Sequence, residues 1–412
     1  MKKFFLLISI YLFVWFGLYE TKVYNQTDSL WSVYTTISLV REGNLNIDEY
    51  SSLFPKAFYA NLTETGGHTF NYYPYGVSIL AIPHIWITSK WYELKGKDFQ
   101  EKILSSSTIS LEKNISSSLL SISAVLFFLI SFHITNSVPK SLLVVFLFSF
   151  CTIIFSTVSR GLWQHTGSIL LLSILLLFIV LNNKNLFILS ALPLFFSYAV
   201  RPTNLLPIFF LGLIFIYLLR GRSIGFLFIG GLILSFFFLF NYFEMGNFLH
   251  PYYDFRKVQG SNTFYEALAG NLISPARGLF IYSPIFLFSF LGIYYKWKEE
   301  TLSLFDYAIF LTVLFHWILV SRNLNWWGGH CYGYRLLSDM IPFFVFYLIF
   351  FLKYANLKSP IYALFILSMI LSLYINFQGA NRMQTYYWNL QPSNIDENSF
   401  RLWDWKDAPF LR

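Results

Sequence analysis

Long apolar runs recur about eleven times along this chain, and Lys and Arg punctuate the shorter segments between them. The runs fall near 3–19, 117–134, 142–158, 167–181, 186–200, 204–219, 223–241, 279–295, 304–320, 341–352 and 360–377. A bilayer core needs about 20 residues of helix to cross it, and several runs reach that length only by extending into their flanks. A soluble fold of 412 residues has too little interior to hide them. Of these residues 56% are hydrophobic, 48 are Phe and only 12% are charged, whereas soluble domains carry about 25% charge. The expected fold class is an all-α polytopic membrane protein with about eleven transmembrane helices.

The first run follows Lys2-Lys3 and has the make-up of a signal peptide. It ends Phe16-Gly17-Leu18-Tyr19-Glu20 with no small-x-small cleavage site, so it reads as an uncleaved anchor. With this end cytoplasmic, the inner loops hold Lys140, Lys184, Arg220, Arg222, Lys296, Lys298, Lys353 and Lys358. The opposing short loops hold Arg160, Arg201, Arg322 and Arg335. The inner excess favours this orientation and, after eleven spans, an extracytoplasmic C-terminus. Crossing by residues 77–92 would invert everything after them. Pro83, His84, Lys90 and the Trp91-Tyr92 ending suit a helix lying at the interface instead.

The chain therefore reads as one transmembrane domain, 1–377, followed by an extracytoplasmic tail, 378–412. Outer loops at 20–116, with interfacial helices, and at 242–278 belong to the domain. Only Glu299, Glu300 and Asp306 among the carboxylates fall on or near the inner face, and no charged residue stands out at the centre of a span. A net charge of +8 comes with no basic stripe, so nucleic acid is not an expected partner. Cys151 lies within an apolar run, and with Cys331 it makes no disulfide framework.

The outer segments carry the chemistry. Asp28 sits a few residues past the first span, ahead of an amphipathic helical pattern. A carboxylate there can take a proton from a hydroxyl or amine, or it can cap the helix by accepting backbone N–H bonds. Gly66-Gly67-His68 leads into Tyr72-Tyr73-Pro74-Tyr75-Gly76, whose rings suit either an interface belt or a sugar-stacking surface. Ser159-Arg160-Gly161-Leu162-Trp163-Gln164-His165 and Arg201-Pro202-Thr203-Asn204 form two further outer turns. Arg201 at a helix end either snorkels or directs a planar guanidinium at a phosphate. Arg277-Gly278 opens a later span, and Trp326-Trp327-Gly328-Gly329-His330-Cys331-Tyr332-Gly333-Tyr334-Arg335 gathers glycines, large rings and one Arg in a single turn. One carboxylate, several arginines and many aromatics on one face suit a substrate with a phosphate, a sugar ring and a lipid tail. His68 has no partners at metal-ligand spacing around it.

These residues resemble the GT-C superfamily of integral membrane glycosyltransferases, which use polyprenyl-phosphate sugars, and the likeness extends through most of the chain. Family members place an acid in the first outer loop just after the first span, where Asp28 and the Leu30–Leu39 segment stand here. Tyr73-Pro74-Tyr75-Gly76 with Pro83 looks like the family's interfacial segment. Gly278-Leu279-Phe280 with Ser283-Pro284, the Trp326–Arg335 turn with Pro342, and the tail Arg401–Phe410 look like later outer turns of bacterial members. The resemblance implies a plasma-membrane enzyme performing inverting transfer, with Asp28 as general base. It also implies that Arg201, Arg277 and Arg335 hold the donor phosphate, with Tyr73, His165, Trp326, Trp327 and His330 around sugar and acceptor. Many members pair two acids in this loop, whereas Thr27 precedes Asp28 here; Asp48 and Glu49 are the nearest later acids. The large soluble C-terminal domain of some branches is missing.

The implied partners are a lipid-linked sugar donor, membrane lipids and an acceptor that is a glycan, lipid or protein. No cofactor is expected from the residues. A divalent metal stays open, because some branches use one and others do not. Three other readings compete: a lipid or sugar transporter or flippase, a lipid-linked polymer ligase or polymerase that works through Arg, and a non-catalytic membrane scaffold, which would not explain the Gly, Trp and Arg gathered in separate outer loops. A transporter calls for ionisable groups near the bilayer midplane and often for inverted repeats, and neither is evident.

Overall fold

The computed structural model describes residues 2–24, 28–51, 61–99, 108–253, 263–356 and 358–412. Asn25, Gln26 and Thr27, which open the first outer loop, lie outside the described residues, as do parts of both large loops at 52–60, 100–107 and 254–262.

The chain is mostly helical, and a helix stands at every apolar run. Lipid offers no hydrogen-bond partners, so an apolar run entering it must pair its own backbone groups. Six helical stretches among the described residues are long and apolar enough to cross a membrane. The number is seven if Val138–Phe150 and Ile153–Arg160, bent by 41°, form one span. Lys3–Tyr19 and Lys184–Val200 are shorter apolar helices.

Burial sorts these helices into inner and outer. In Arg335–Tyr354 the apolar window is 89% buried, in Pro202–Met245 only 17%. Ile341–Tyr354 is therefore the central post, packed against Leu287–Lys298 on one side and against Val138–Phe150 and Ile109–Thr135 on the other. Phe127, Phe148, Leu172, Phe286 and Ile349 are fully buried around it. By contrast Phe228, Phe236, Leu364 and Leu367 point outward and exposed. A soluble monomer rarely displays apolar surface on this scale, and lipid is the solvent that suits it.

Among the runs that differ from their expected limits, two show the cause plainly. The run at 117–134 begins its helix at Ile109, because the charged residues ahead of it find buried partners. Glu112 Oε2 accepts from the Leu162 N–H at 3.3 Å, and Lys113 Nζ donates to the Thr21 carbonyl. Hydrogen bonding makes their burial tolerable. The run at 279–295 is broken into Leu279–Tyr282, Pro284–Phe286 and Leu287–Lys298. Pro284 supplies no N–H to continue the first turn.

The first large loop folds over the bundle as a small layer. Leu30–Arg41 packs on Gly76–Leu94, the helix that covers residues 77–92. A two-stranded antiparallel hairpin, Leu62–Thr65 with His68–Asn71, lies between them in sequence. Gly76 lets the second helix approach the end of Ala191–Val200: a Cβ there would stand 2.5 Å from the Ala199 backbone. The tail is packed as well. Trp388, Ile395 and Leu402 close a small core with Trp326 and Ala267.

Candidate functional site

A cavity of about 460 Å³ opens where the first loop layer meets the turns between bundle helices. Asp28 enters from the start of Leu30–Arg41, Tyr73 from behind the hairpin, and His165 from the first turn of Gln164–Leu181. Arg201 enters from the end of Ala191–Val200, Tyr252 from the second loop, and Arg335 from the glycine-rich turn. Five of the residues singled out in the sequence (Asp28, Tyr73, His165, Arg201 and Arg335) thus share one space. Gly328 and Gly329 sit at φ +71° and +68°, a conformation that lets the turn double back and set Arg335 toward Asp28.

Asp28 is not the helix cap. Ser29 takes the cap position, without a side-chain bond, and the Asp28 carboxylate accepts from Arg335 at 2.7 Å. The Arg335 guanidinium also lies over the Trp163 ring, 4.8 Å from its centre, which fixes its plane. Arg201 forms an ion pair with Asp339, a fully buried carboxylate four residues beyond Arg335. It also donates to His165 Nδ1 at 2.7 Å. That bond makes Nδ1 the acceptor and leaves Nε2 as the N–H donor of a neutral ring. Ser338 Oγ lies 2.8 Å from the same nitrogen and donates to the Arg335 carbonyl at 2.7 Å.

Tyr72, Tyr73 and Tyr252 form an aromatic wall, with ring centres 5.4–5.5 Å apart. Burial pushes the Tyr73 hydroxyl well above the ordinary phenol range, and the negative charge of Asp28 pushes it further. Tyr252 is raised as well, by burial first, with Arg201 opposing and Asp28 reinforcing. Both phenols stay neutral and present hydroxyl donors. Two carboxylates and two guanidiniums beside the cavity balance in charge.

The remaining sequence candidates lie elsewhere, for physical reasons. Arg277 is buried and spends its guanidinium on the carbonyls of Ala276, Trp327 and Gly329 and on Asn389 Oδ1, at 2.7–3.0 Å. It pins the glycine-rich turn to the tail and does not line the cavity. Trp326 is buried beside Gly270 and Trp388. Trp327 Nε1 donates to Asp396 at 2.7 Å, and His330 Nε2 lies 2.9 Å from Asn394 Oδ1. All three aromatic groups hold the tail rather than face the cavity. Asp48 is tied to the hairpin by His68 Nδ1 at 2.6 Å and the Thr69 N–H at 2.7 Å. Burial works to raise its carboxyl, but these two bonds hold it below the usual range. Glu49 is exposed beside it.

Sequence reading passed over Asp339, Trp163 and Tyr252 as site residues. Asp339 carried a signal: an acid inside the apolar run Leu336–Pro342 needs a partner if it is to be buried. Beyond the same short turn lies a second, wholly apolar recess of about 200 Å³, lined by Leu337, Met340, Phe344, Val313 and Trp317. Leu336 faces the polar cavity while Leu337 faces the apolar one. Among the described residues no group of three or more His, Cys, Asp or Glu side chains is placed to hold a metal ion. Cys151 and Cys331 are both buried free thiols.

Set against known proteins, the chain matches no family model, no curated protein and no solved structure.

Proposed function

We propose that this chain is a membrane glycosyltransferase that moves a sugar from a polyprenyl-phosphate donor to a hydroxyl or amine acceptor, with inversion at the sugar carbon. The observation that carries the reading is the meeting of Asp28 with Arg335, 307 residues apart in sequence, in a cavity that Arg201 also lines. A carboxylate that lines the cavity together with two guanidiniums supplies a base and a phosphate clamp. Planar guanidinium groups suit a phosphate whose charge grows as it departs.

The sugar fits against the wall of Tyr72, Tyr73 and Tyr252, with the neutral phenols and His165 Nε2 as hydrogen-bond donors. The prenyl chain fits the apolar recess behind Leu337, one residue from the cavity wall. Asp28 accepts the acceptor's proton as its oxygen or nitrogen bonds to the sugar carbon. The bond from that carbon to the phosphate oxygen breaks, and its electrons leave with the phosphate. Arg335 and Arg201 stabilise that charge, so the leaving group departs without being protonated. With eleven crossings, as the apolar runs suggest, positive-inside bias supports a cytoplasmic N-terminus and a cavity that opens on the extracytoplasmic side of a plasma membrane.

The reading is tested by reconstituting the purified chain with a panel of polyprenyl-phosphate sugars and measuring release of polyprenyl phosphate. Release with at least one donor, strongly reduced in Arg201→Gln and Arg335→Gln, is the expected result. No release with any sugar rejects the reading. Orientation is tested separately with Asn325→Cys on the exposed cavity rim: labelling from outside intact cells is expected, and labelling only after permeabilisation reverses the topology.

A further inference from the structure

The two ion pairs beside the cavity differ in access. Asp28 and Arg335 retain 27% and 16% side-chain exposure, while Asp339 and Arg201 retain 0% and 6%. Arg201 is also held by His165, whereas no other carboxylate is paired with Arg335 among the described residues. The first pair can therefore open toward a ligand, and the second cannot without stranding a buried charge.

We propose that Arg335 changes partner during turnover: it holds Asp28 in the resting cavity and takes the departing phosphate once Asp28 has accepted the acceptor's proton. This inference rests on the transferase reading above. The charge count of the reaction motivates it. A glycosyl polyprenyl phosphate is a diester with one negative charge, and the released polyprenyl phosphate is a monoester with nearly two at about pH 8. As the sugar carbon passes from phosphate oxygen to acceptor, the electron pair of the broken bond adds one negative charge to the phosphate. The acceptor's proton removes one from Asp28. Net charge in the cavity is unchanged, and Arg335 stands between the two groups that exchange it. When Asp28 later gives its proton to water, it reclaims Arg335 and the dianion is expelled. Asp28 thereby serves both as base and as the competitor that drives product release.

Equilibrium binding to the purified full-length chain in detergent tests this with two probes. Farnesyl phosphate is a near-dianion at about pH 8, and farnesyl methyl phosphate is a monoanion. Asp28→Asn imitates the protonated carboxyl and is expected to tighten farnesyl phosphate about tenfold or more, with a clearly smaller gain for the methyl ester. Adding Arg335→Gln should abolish the gain. Asp28→Ala supplies a second uncharged variant, and the rise of melting temperature with ligand supplies a second readout. Equal affinity of wild type and both uncharged variants overturns the proposal. So does a gain that survives Arg335→Gln, and so does failure of every variant to bind. Failure here is distinguishable from failure of the transferase reading. Loss of transfer in Asp28→Asn with unchanged phosphate affinity removes only the exchange. Tightened phosphate binding in a protein that transfers no sugar removes only the transferase.

Discussion

Asp28–Arg335 and Asp339–Arg201 are chemically the same pair in two settings. The first faces an open cavity between a loop layer and a turn; the second is buried within the bundle between the Arg335–Met340 turn and the end of Ala191–Val200. Open to the cavity, a pair is weakly bound and exchangeable, because solvent competes for both charges. Sealed, it is costly to form and costlier to break, because losing either partner leaves a full charge buried away from water. The contrast separates chemistry from scaffolding: one pair is free to meet a substrate, and the other fixes the arginine that lines the opposite wall.

The sharpest way to break the comparison is Asp339→Asn. Stranding the buried Arg201 charge should destabilise the protein by about 3–5 kcal/mol, whereas Asp28→Asn should cost about 1 kcal/mol or less. Thermal melting of both variants in one detergent decides it, and equal losses erase the distinction. Next in size is Arg335→Gln, expected to lower turnover about 10²–10³-fold by removing a donor to the departing charge. Measurement of kcat with the lipid-linked donor checks this.

A smaller effect is expected at Arg277→Gln, about 2–3 kcal/mol from charged hydrogen bonds lost between the glycine-rich turn and the tail. Protease cleavage of the 378–412 segment reports it, and unchanged resistance would deny Arg277 its anchoring role. The smallest effect is in pH. His250 donates to the Asn71 carbonyl at 3.1 Å and accepts from the Tyr252 N–H at 3.2 Å, so both ring nitrogens are used in the neutral form. Burial holds its pKa down to about 4, against about 6.5 for a free imidazole. Its folded value is the lower one, so as pH falls from about 6.5 to about 4 only the undocked loop takes up the proton. Docking beside Tyr252 should weaken across that window and no further below it. Cleavage rates at residues 246–250 against pH check this, and a flat profile counts against it.

The same contrast explains what was legible in the sequence. Helical runs were readable because apolar length is a local property, and each run carries a helix. Asp28, Tyr73, His165, Arg201 and Arg335 were readable as chemistry-bearing types at run ends, and they share the cavity. Arg277 and Arg335 both sit in glycine-containing turns, yet one pins the tail and the other faces Asp28. Nothing local distinguishes them: the difference lies in Asn389 and Asp28, each more than a hundred residues from its arginine. Trp326, Trp327 and His330 likewise looked like a ligand surface. The tail that covers them is polar and irregular, so its docking had no periodic signature to read. For Asp339 the need of a partner was legible, as a single acid within an apolar stretch, but the identity of that partner, Arg201, was not, because it lies far away in sequence.

The most direct measurement is release of polyprenyl phosphate by Asp28→Asn, normalised to folded protein and compared with wild type on the same donor. The account predicts a loss of about 10²–10⁴-fold, with the variant melting close to wild type. Undiminished release from a folded Asp28→Asn protein would contradict it.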